Sequence, residues 1–536
     1  MYLRNVGLKL YKCMAKNADV YLFVVKSVFF FCEDSILKTP KILLSKIEPA
    51  PENDCACSGK YETDCACETG IIHPLSLSPS SALWKSSRNL FQIPLDESYT
   101  LVCSPELGTG AMVLSESAGL VLRAFNEPTS LGNIQAHPSD ISASEAVRIA
   151  EKFASLGLIV PLVDLKPLVC DSSSLVLTSW LHLTDRCNLR CSYCYLPHVR
   201  EDMSPETGRA ALDATFRSAV ANGFKQVKLK YAGGEPLLRF PLIVELHHYA
   251  QSLADEHSLM LEGVVLSNGT LLSPQMVETL KSLGLRLMIS LDGLGQYHDA
   301  HRPYAGGRGS FKDVSEAVDL ALASGLVPNI SVTVSSRTVE GLPEIMGWIL
   351  ERELPFSLNF YRENELSATH EDMRLDAEKI ISGMLAAFKV IENNLPRRGF
   401  LGAIIDRANL SAAHTHTCGV GQNYLVFDQN GQVAKCQMHI RKPITNMHVQ
   451  DPLAIIRADQ IGIQNISVEE KEGCKTCEWK HWCAGGCPLA TYRATGRYDV
   501  KSPNCNIYKA LFPEALRLEG LRLLKYQDDP EVVMRY

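Results

Sequence analysis

The sequence lacks a long apolar run, a large excess of either charge, and the cysteine density of a disulfide scaffold. The nearest approach to a membrane span, Val20 to Cys32, has 13 residues and includes Lys26, short of the roughly 18 uninterrupted apolar residues needed to cross. No small-residue cleavage site follows it, so it does not read as a secretory signal. With 53 Lys+Arg against 60 Asp+Glu, the formal net charge is −7. Nothing global attracts a polyanion, and neither nucleic acid nor a membrane is expected as a partner. The 18 cysteines in 536 residues are too sparse for a small disulfide-stapled protein. They fall in metal-like groups, so the expected compartment is a reducing cytoplasm. The rest is ordinary for a folded chain: 46% hydrophobic and 21% charged residues, over a length that suits two to four domains.

Residues 1–95 show no clean period and read as an N-terminal extension and linker. They contain two Asp-Cys-Ala-Cys units, Asp54 to Cys57 and Asp64 to Cys67. Paired Cys-x-Cys groups can close a tetrahedral zinc site; a polar linker with reduced thiols is the other reading. From 98 to 165 the pattern becomes regular. Strands are expected at Tyr99–Cys103 and Ala111–Leu114, and a helix from Ser115 or Ser117. A second helix opens on the capping box Ser142-Ala143-Ser144-Glu145, and a strand closes the unit at Leu158–Leu162. This is a winged-helix-like pattern. It resembles the leader-peptide recognition element of many peptide-modifying enzymes, whose small sheet takes up the leader as an extra strand; a plain packing module fits the pattern as well.

Between 175 and 365, strands at 177–184, 227–231, 261–267, 286–291, 328–334 and 356–360 alternate with helices at 205–221, 241–254, 274–283, 311–324 and 342–352. The expected fold class is α/β, a parallel sheet forming a partial (β/α)6 TIM-like barrel whose active face lies at the strands' carboxyl ends. Bridging helices over 366–410, a Cys-rich domain over 411–510, and a C-terminal helix and tail over 511–536 complete the chain.

Directly after the first barrel strand stands Thr184-Asp185-Arg186-Cys187-Asn188-Leu189-Arg190-Cys191-Ser192-Tyr193-Cys194, a Cys-x3-Cys-x2-Cys loop. Structural zinc takes four protein ligands, and three thiolates in one loop leave a position open; thiolates are also the usual ligands of iron–sulfur clusters. Gly233-Gly234-Glu235 follows the second strand, Ser267-Asn268-Gly269-Thr270 the third, and Ser290-Leu291-Asp292-Gly293 ends the fourth. Each string alone is an ordinary βα turn. In this order the sequence resembles the radical S-adenosylmethionine (SAM) superfamily. The resemblance implies that Cys187, Cys191 and Cys194 hold a catalytic 4Fe–4S cluster. Gly233, Gly234 and Glu235 would receive the methionyl end of S-adenosylmethionine, Ser290, Asp292 and Arg302 its ribose and carboxylate, and Val332-Thr333-Val334 its adenine. Glycine at 233 and 234 lets backbone approach the cofactor without an intervening Cβ. Tyr193 would pack beside the cluster. His298 and His301 receive no proton-transfer role without geometry.

Cys418, Cys436, Cys474, Cys477, Cys483, Cys487 and Cys505 form a second constellation, Cys-x12-Gly-x4-Cys, a gap, then Cys-x2-Cys-x5-Cys-x3-Cys-x17-Cys. It resembles the SPASM domain, an auxiliary-cluster extension of radical enzymes that mature peptides and proteins. By that resemblance Cys474, Cys477, Cys483 and Cys505 hold one auxiliary 4Fe–4S cluster, and Cys418, Cys436 and Cys487 another. The fourth ligand of the latter is open: a residue such as His416, or a substrate thiolate. Two zinc sites also satisfy the spacing. Gln437 stands where sulfatase-maturing enzymes carry an acidic base.

The expected function is therefore a radical SAM oxidoreductase acting on a ribosomally made precursor peptide, most simply by installing a crosslink such as a thioether. Oxidation of a protein residue, as in cofactor or sulfatase maturation, is the alternative. A non-catalytic metal or iron–sulfur binding module is the reading from another class. The resemblance implies an electron donor such as flavodoxin or ferredoxin as a further partner.

Overall fold

The computed structural model describes residues 40–45, 82–88, 90–104, 110–134, 141–162 and 175–535. Both Asp-Cys-Ala-Cys units, Cys13, Cys32 and Cys170 lie outside the described residues.

Six parallel strands, Val176–His182, Gln226–Ala232, Met260–Ser267, Arg286–Ser290, Asn329–Val334 and Phe356–Phe360, lie side by side in sequence order. Helices Pro205–Ala221, Phe240–His257, Pro274–Ser282, Phe311–Ala323 and Leu342–Glu351 return the chain between them, the βα order expected of a partial barrel. All seven residues of each of the first two strands are buried, as a parallel sheet covered on both faces requires. Helix starts follow local chemistry. Ser204 and Ser273 accept backbone N–H groups of Thr207 and Met276, each just ahead of a proline in the first turn, and such caps contribute about 1 kcal/mol apiece.

The sheet does not stop at the barrel. Tyr424–Phe427 runs parallel beside Val176–His182, with Tyr424 opposite Thr178 and Phe427 opposite Leu181. Gln432–Ala434 and Thr445–Asn446 add antiparallel beyond it. The sheet thus has nine strands, and the region after 411 is anchored on it. Between the two, helix Ala377–Asn393 packs on Leu342–Glu351 and on the long helix Cys505–Lys525.

The N-terminal part is wider than the sequence pattern implies. Strands Phe91–Pro94, Tyr99–Cys103 and Met112–Ser115 form an antiparallel meander, extended past Met112–Ser115 by Ile42–Ser45 and then by Val533–Arg535 from the opposite end of the chain. Ile159–Pro161 does not join this sheet; it pairs with Leu83–Ser86, which also pairs with Thr129–Ser130. Helices Glu116–Arg123 and Ala143–Ser155 start on Ser115 and Ser142, as their capping signals predict. Cys103, left over by the sequence pattern, is a fully buried strand residue; burial pushes its thiol far up, so it packs as a small apolar group. Phe91 lies against Trp479 and Trp482, at 4.2 and 5.5 Å between ring centroids.

Candidate active site

The cysteine loop sits at the carboxyl end of the first barrel strand and is held down by backbone. Leu189 bridges Tyr304, Arg190 N donates to Pro303 O at 2.8 Å, and Ser192 N to His301 O at 2.9 Å. Asn364, just past the sixth strand, donates to Tyr193 O at 2.9 Å. The segment carrying Arg302 therefore positions the loop directly. Burial, and then the Glu235 carboxylate, pushes the Cys187 thiol up to about 12; burial does the same to Cys194. Buried thiols that raise one another's pKa suit a bound cation, which deprotonates its ligands. Asn268 reaches Cys187 Sγ at 3.8 Å and Asn188 at 2.9 Å, and Asn188 reaches Thr270 at 2.8 Å. These amides tie the third strand's turn to the loop. The string containing Asn268 was legible in the sequence, but its contact with the loop was not.

Gly233 and Gly234 are required where this turn meets the cysteine loop. The Gly-Gly-Glu backbone lies along residues 184–186, with Gly234 N to Thr184 O at 2.7 Å and Glu235 N to Arg186 O at 2.8 Å. A Cβ at 233 would stand 2.4 Å from Thr184 O, and one at 234 would stand 2.3 Å from Arg186 O. Gly233 also has φ +150°. Glu235 is fully buried and accepts from Leu237 N at 3.0 Å, Ser267 Oγ at 2.7 Å and Asn268 N at 2.8 Å. Its carboxylate binds two turns of the barrel together, and burial raises its pKa against those three hydrogen bonds.

Asp292, Arg302 and Tyr193 form one buried cluster. Tyr193 OH donates to Asp292 Oδ2 at 2.6 Å, Arg302 donates to the Tyr193 oxygen, and Arg302 lies 3.6 Å from Asp292. Thr333 N, from the proposed adenine segment, donates to Asp292 Oδ1 at 2.8 Å. Burial would push the Asp292 carboxyl up, but Arg302, with His301 and His298, holds it well below the usual carboxylate range. Tyr193 is thus bonded into this cluster as well as adjoining the cysteines. His301 and His298 bond to Ser335 and Ser310, both at 3.0 Å. Ser290, at the end of its strand, is half-buried.

The C-terminal cysteines gather in two cavities. One is lined by Cys474, Cys477, Cys483 and Cys505 with Trp479, Tyr508 and Phe512. The other is lined by Cys418, Cys436 and Cys487 with Arg362, Arg407, Tyr424 and Gln437. His416 is not on that second wall; it bonds to Thr415 at 3.0 Å, while Tyr424 donates to Gln437 Oε1 at 3.1 Å across the wall. Among the described residues no three His, Cys, Asp or Glu side chains meet closely enough to hold a single metal ion. The cysteines ring cavities, an arrangement that suits a multi-iron cluster better than one tetrahedral ion.

Arg362 is the residue that sequence reasoning missed here. Its Nη2 donates to both Asp406 carboxylate oxygens, at 2.8 and 3.1 Å, and Tyr508 OH donates to the same carboxylate at 2.8 Å. Its buried Nε has no protein partner. Burial would raise the Cys487 thiol, but Arg362 and Arg407 bring it below its ordinary value. An orphaned guanidinium N–H beside a thiol drawn toward thiolate fits an anionic group in this cavity. Arg362 stands two residues past the sixth strand, where barrel enzymes place functional side chains; its position was the available signal.

Residues 181–349, from the first barrel strand into the last barrel helix, match the Radical SAM superfamily. The chain carries a radical SAM domain. Its cofactors are S-adenosylmethionine and a 4Fe–4S cluster, and the chain is an enzyme. The serine-type anaerobic sulfatase-maturating enzyme of Klebsiella aerogenes is 25% identical over 349 residues, covering 62% of this chain and 82% of that protein. An uncharacterized protein of Methanocaldococcus jannaschii is 30% identical over 172 residues, covering 32% of this chain and 57% of the relative. In structure, native anSMEcpe with bound AdoMet and the Cp18Cys peptide superposes with a TM-score of 0.53 at 20% identity, over 65% of this chain and 99% of that one. That likeness is one of fold. Among the described residues no helix is long and apolar enough to cross a membrane.

Proposed function

We propose that the chain is a radical SAM maturase that modifies a ribosomally made precursor peptide, forming a crosslink, with a thioether as the simplest product. The observation that carries this reading is the set of three separate cysteine groups, one at the barrel mouth and two in the domain built onto the barrel sheet. Cys187, Cys191 and Cys194 would hold the catalytic cluster, Cys474, Cys477, Cys483 and Cys505 one auxiliary cluster, and Cys418, Cys436 and Cys487 another with an open position. When bound, the catalytic cluster and S-adenosylmethionine supply a 5′-deoxyadenosyl radical for hydrogen abstraction.

The chain's own part is placement. Arg302, compensated by Asp292 and Tyr193, presents a fixed positive charge for the cofactor's carboxylate, with Asp292 available to a ribose hydroxyl and Ser290 beside it. Gly233, Gly234 and Glu235 hold the second strand's turn at the depth where backbone groups can receive the ammonium. Arg362 and Arg407 favour an anionic ligand, such as a substrate thiolate, at the open position. In the N-terminal sheet the free edge of Met112–Ser115 is already taken by Ile42–Ser45. Among the described residues the sheet then ends on Val533–Arg535 at one side and Phe91–Pro94 at the other; Phe91–Pro94 is the edge we assign to a leader strand, because it abuts the four-cysteine cavity through Trp479. Adding a leader there would tether the core peptide and raise its local concentration.

Oxidation of a protein residue is the second reading, favoured by the sulfatase-maturating relative. Gln437 after Cys436 weighs against the sulfatase version, since an amide takes up no proton. Anaerobic reconstitution is expected to give about twelve irons per chain and reductive cleavage of S-adenosylmethionine. A fully loaded protein that leaves S-adenosylmethionine intact would overturn the reading. Co-expression with a candidate peptide then decides the product by mass: loss of two hydrogens marks a crosslink.

A further inference from the structure

Lys471 is fully buried, with 0% of its surface exposed. Its ammonium donates to Ala484 O at 3.0 Å, and among the described residues no carboxylate pairs with it. A buried ammonium without a counter-charge is costly, so its surroundings must supply one.

Its place in the fold shows where that charge comes from. Ala484 opens the three-residue link between Cys483, on the four-cysteine cavity, and Cys487, on the three-cysteine cavity. The link is unusual backbone: Ala484, Gly485 and Gly486 have φ of +43°, +75° and +70°, a run only short side chains tolerate. Lys471 lies along it so closely that a Cβ on Gly485 would stand 2.6 Å from Lys471 Cδ. The same Ala484 carbonyl accepts Thr417 Oγ1 at 2.9 Å, which brings in the residue preceding Cys418. Burial lowers the lysine's pKa, and the thiols that oppose this come from both cavities: Cys474 and Cys483 from one, Cys418 and Cys487 from the other.

We propose that Lys471 is a positioning residue that serves both auxiliary clusters as a shared counter-charge, held between them by the Ala484 carbonyl. The inference rests on the reading that both cavities hold iron–sulfur clusters. Each cluster, when bound, would gain one negative charge on accepting an electron from a one-electron donor, with no proton needing to move. A fixed ammonium between the two favours the reduced form of each and raises both potentials, since charge and hydrogen bonding around a cluster set its potential. It also makes them interdependent, because reduction of one uses part of the field that favours reduction of the other.

The test is made on the anaerobically reconstituted full chain with two substitutions. Lys471→Arg keeps the charge; Lys471→Gln removes it but keeps a donor for the Ala484 carbonyl. Iron content and potentiometric titration of the auxiliary cluster EPR signals are the readouts. Lys471→Arg is expected to load and titrate as the unaltered protein does. Lys471→Gln is expected to show at least a tenfold lower reduced-to-oxidised ratio at both clusters at a fixed potential, about 59 mV for one electron, or to lose iron that Lys471→Arg retains. The proposal is overturned if Lys471→Gln loads and titrates normally, if only one cluster responds, or if both variants fail alike, which would make the side chain a structural pin. An unaltered chain that takes up only about four irons would overturn the cluster reading itself, and this inference with it.

Discussion

The barrel's cysteine loop and the cysteines of the C-terminal region both gather buried thiols, by opposite routes. Cys187, Cys191 and Cys194 fall within a single short loop, laid against the segment before Tyr304 by backbone hydrogen bonds. The seven C-terminal cysteines are spread from 418 to 505. They meet because Tyr424–Phe427 joins the barrel sheet and the helix beginning at Cys505 packs on Ala377–Asn393. The first group is surrounded by side chains that follow barrel strands in order. The second draws charge from distant segments: Arg362 and Asp406 on one cavity, Lys471 between the two. A local site is robust to changes elsewhere, whereas an assembled site can be tuned, or broken, from afar.

The sharpest way to separate the two groups is to remove one at a time. Cys191→Ala should abolish S-adenosylmethionine cleavage while about eight of twelve irons remain; iron analysis and product chromatography check both. Cys477→Ala should do the reverse, losing about four irons and peptide modification while cleavage persists. If Cys477→Ala also stops cleavage in a protein with an intact catalytic cluster, the two groups are not independent.

Arg362→Met should destabilise the C-terminal region by about 3–5 kcal/mol, because it leaves Asp406 buried without its partner. Adding Asp406→Asn should recover part of that loss, as a double-mutant thermal-melting cycle would show. A change within the barrel alone should leave the cavities untouched. His247 is buried, bonds to Tyr231 at 3.1 Å and to Leu283 O at 3.3 Å, and burial lowers its pKa from 6.5 to about 4. The unfolded chain then binds the extra proton first. The stability from this neutral ring is complete above pH 6.5 and lost as pH falls toward 4, by about 3 kcal/mol at most. His247→Phe should remove that component of the melting profile. The smallest effect is expected at Tyr193→Phe, which deletes the hydrogen bond given to Asp292 and the one accepted from Arg302. S-adenosylmethionine should bind several-fold more weakly, about 1 kcal/mol, with iron content unchanged.

Much of the barrel was legible beforehand. All six strands and five helices lie within a few residues of their expected positions, because strand-like and helix-like segments alternate at βα spacing and four of the five helices open on a capping serine or a proline. The cysteine loop was legible for the same local reason. Other features were not. The Gly-Gly-Glu turn was visible as a string, but not that its glycines lie against the carbonyls of Thr184 and Arg186, where a Cβ would collide. Neither was the wall beside Cys418, which Tyr424 and Gln437 line while His416 bonds to Thr415. The N-terminal unit reads as self-contained, whereas its sheet is completed by Ile42–Ser45 and Val533–Arg535.

The sequence by itself determined the cysteine groups, the order of barrel elements and the turns at the strands' carboxyl ends, all set by spacing and hydrophobic period within a few residues. Only the tertiary structure decided which cations face the two C-terminal cysteine cavities and which sheet edges stay open. Those depend on contacts between segments tens to hundreds of residues apart, because the cost of a charge rises with burial and its interactions weaken with distance in space, quantities that linear spacing does not encode.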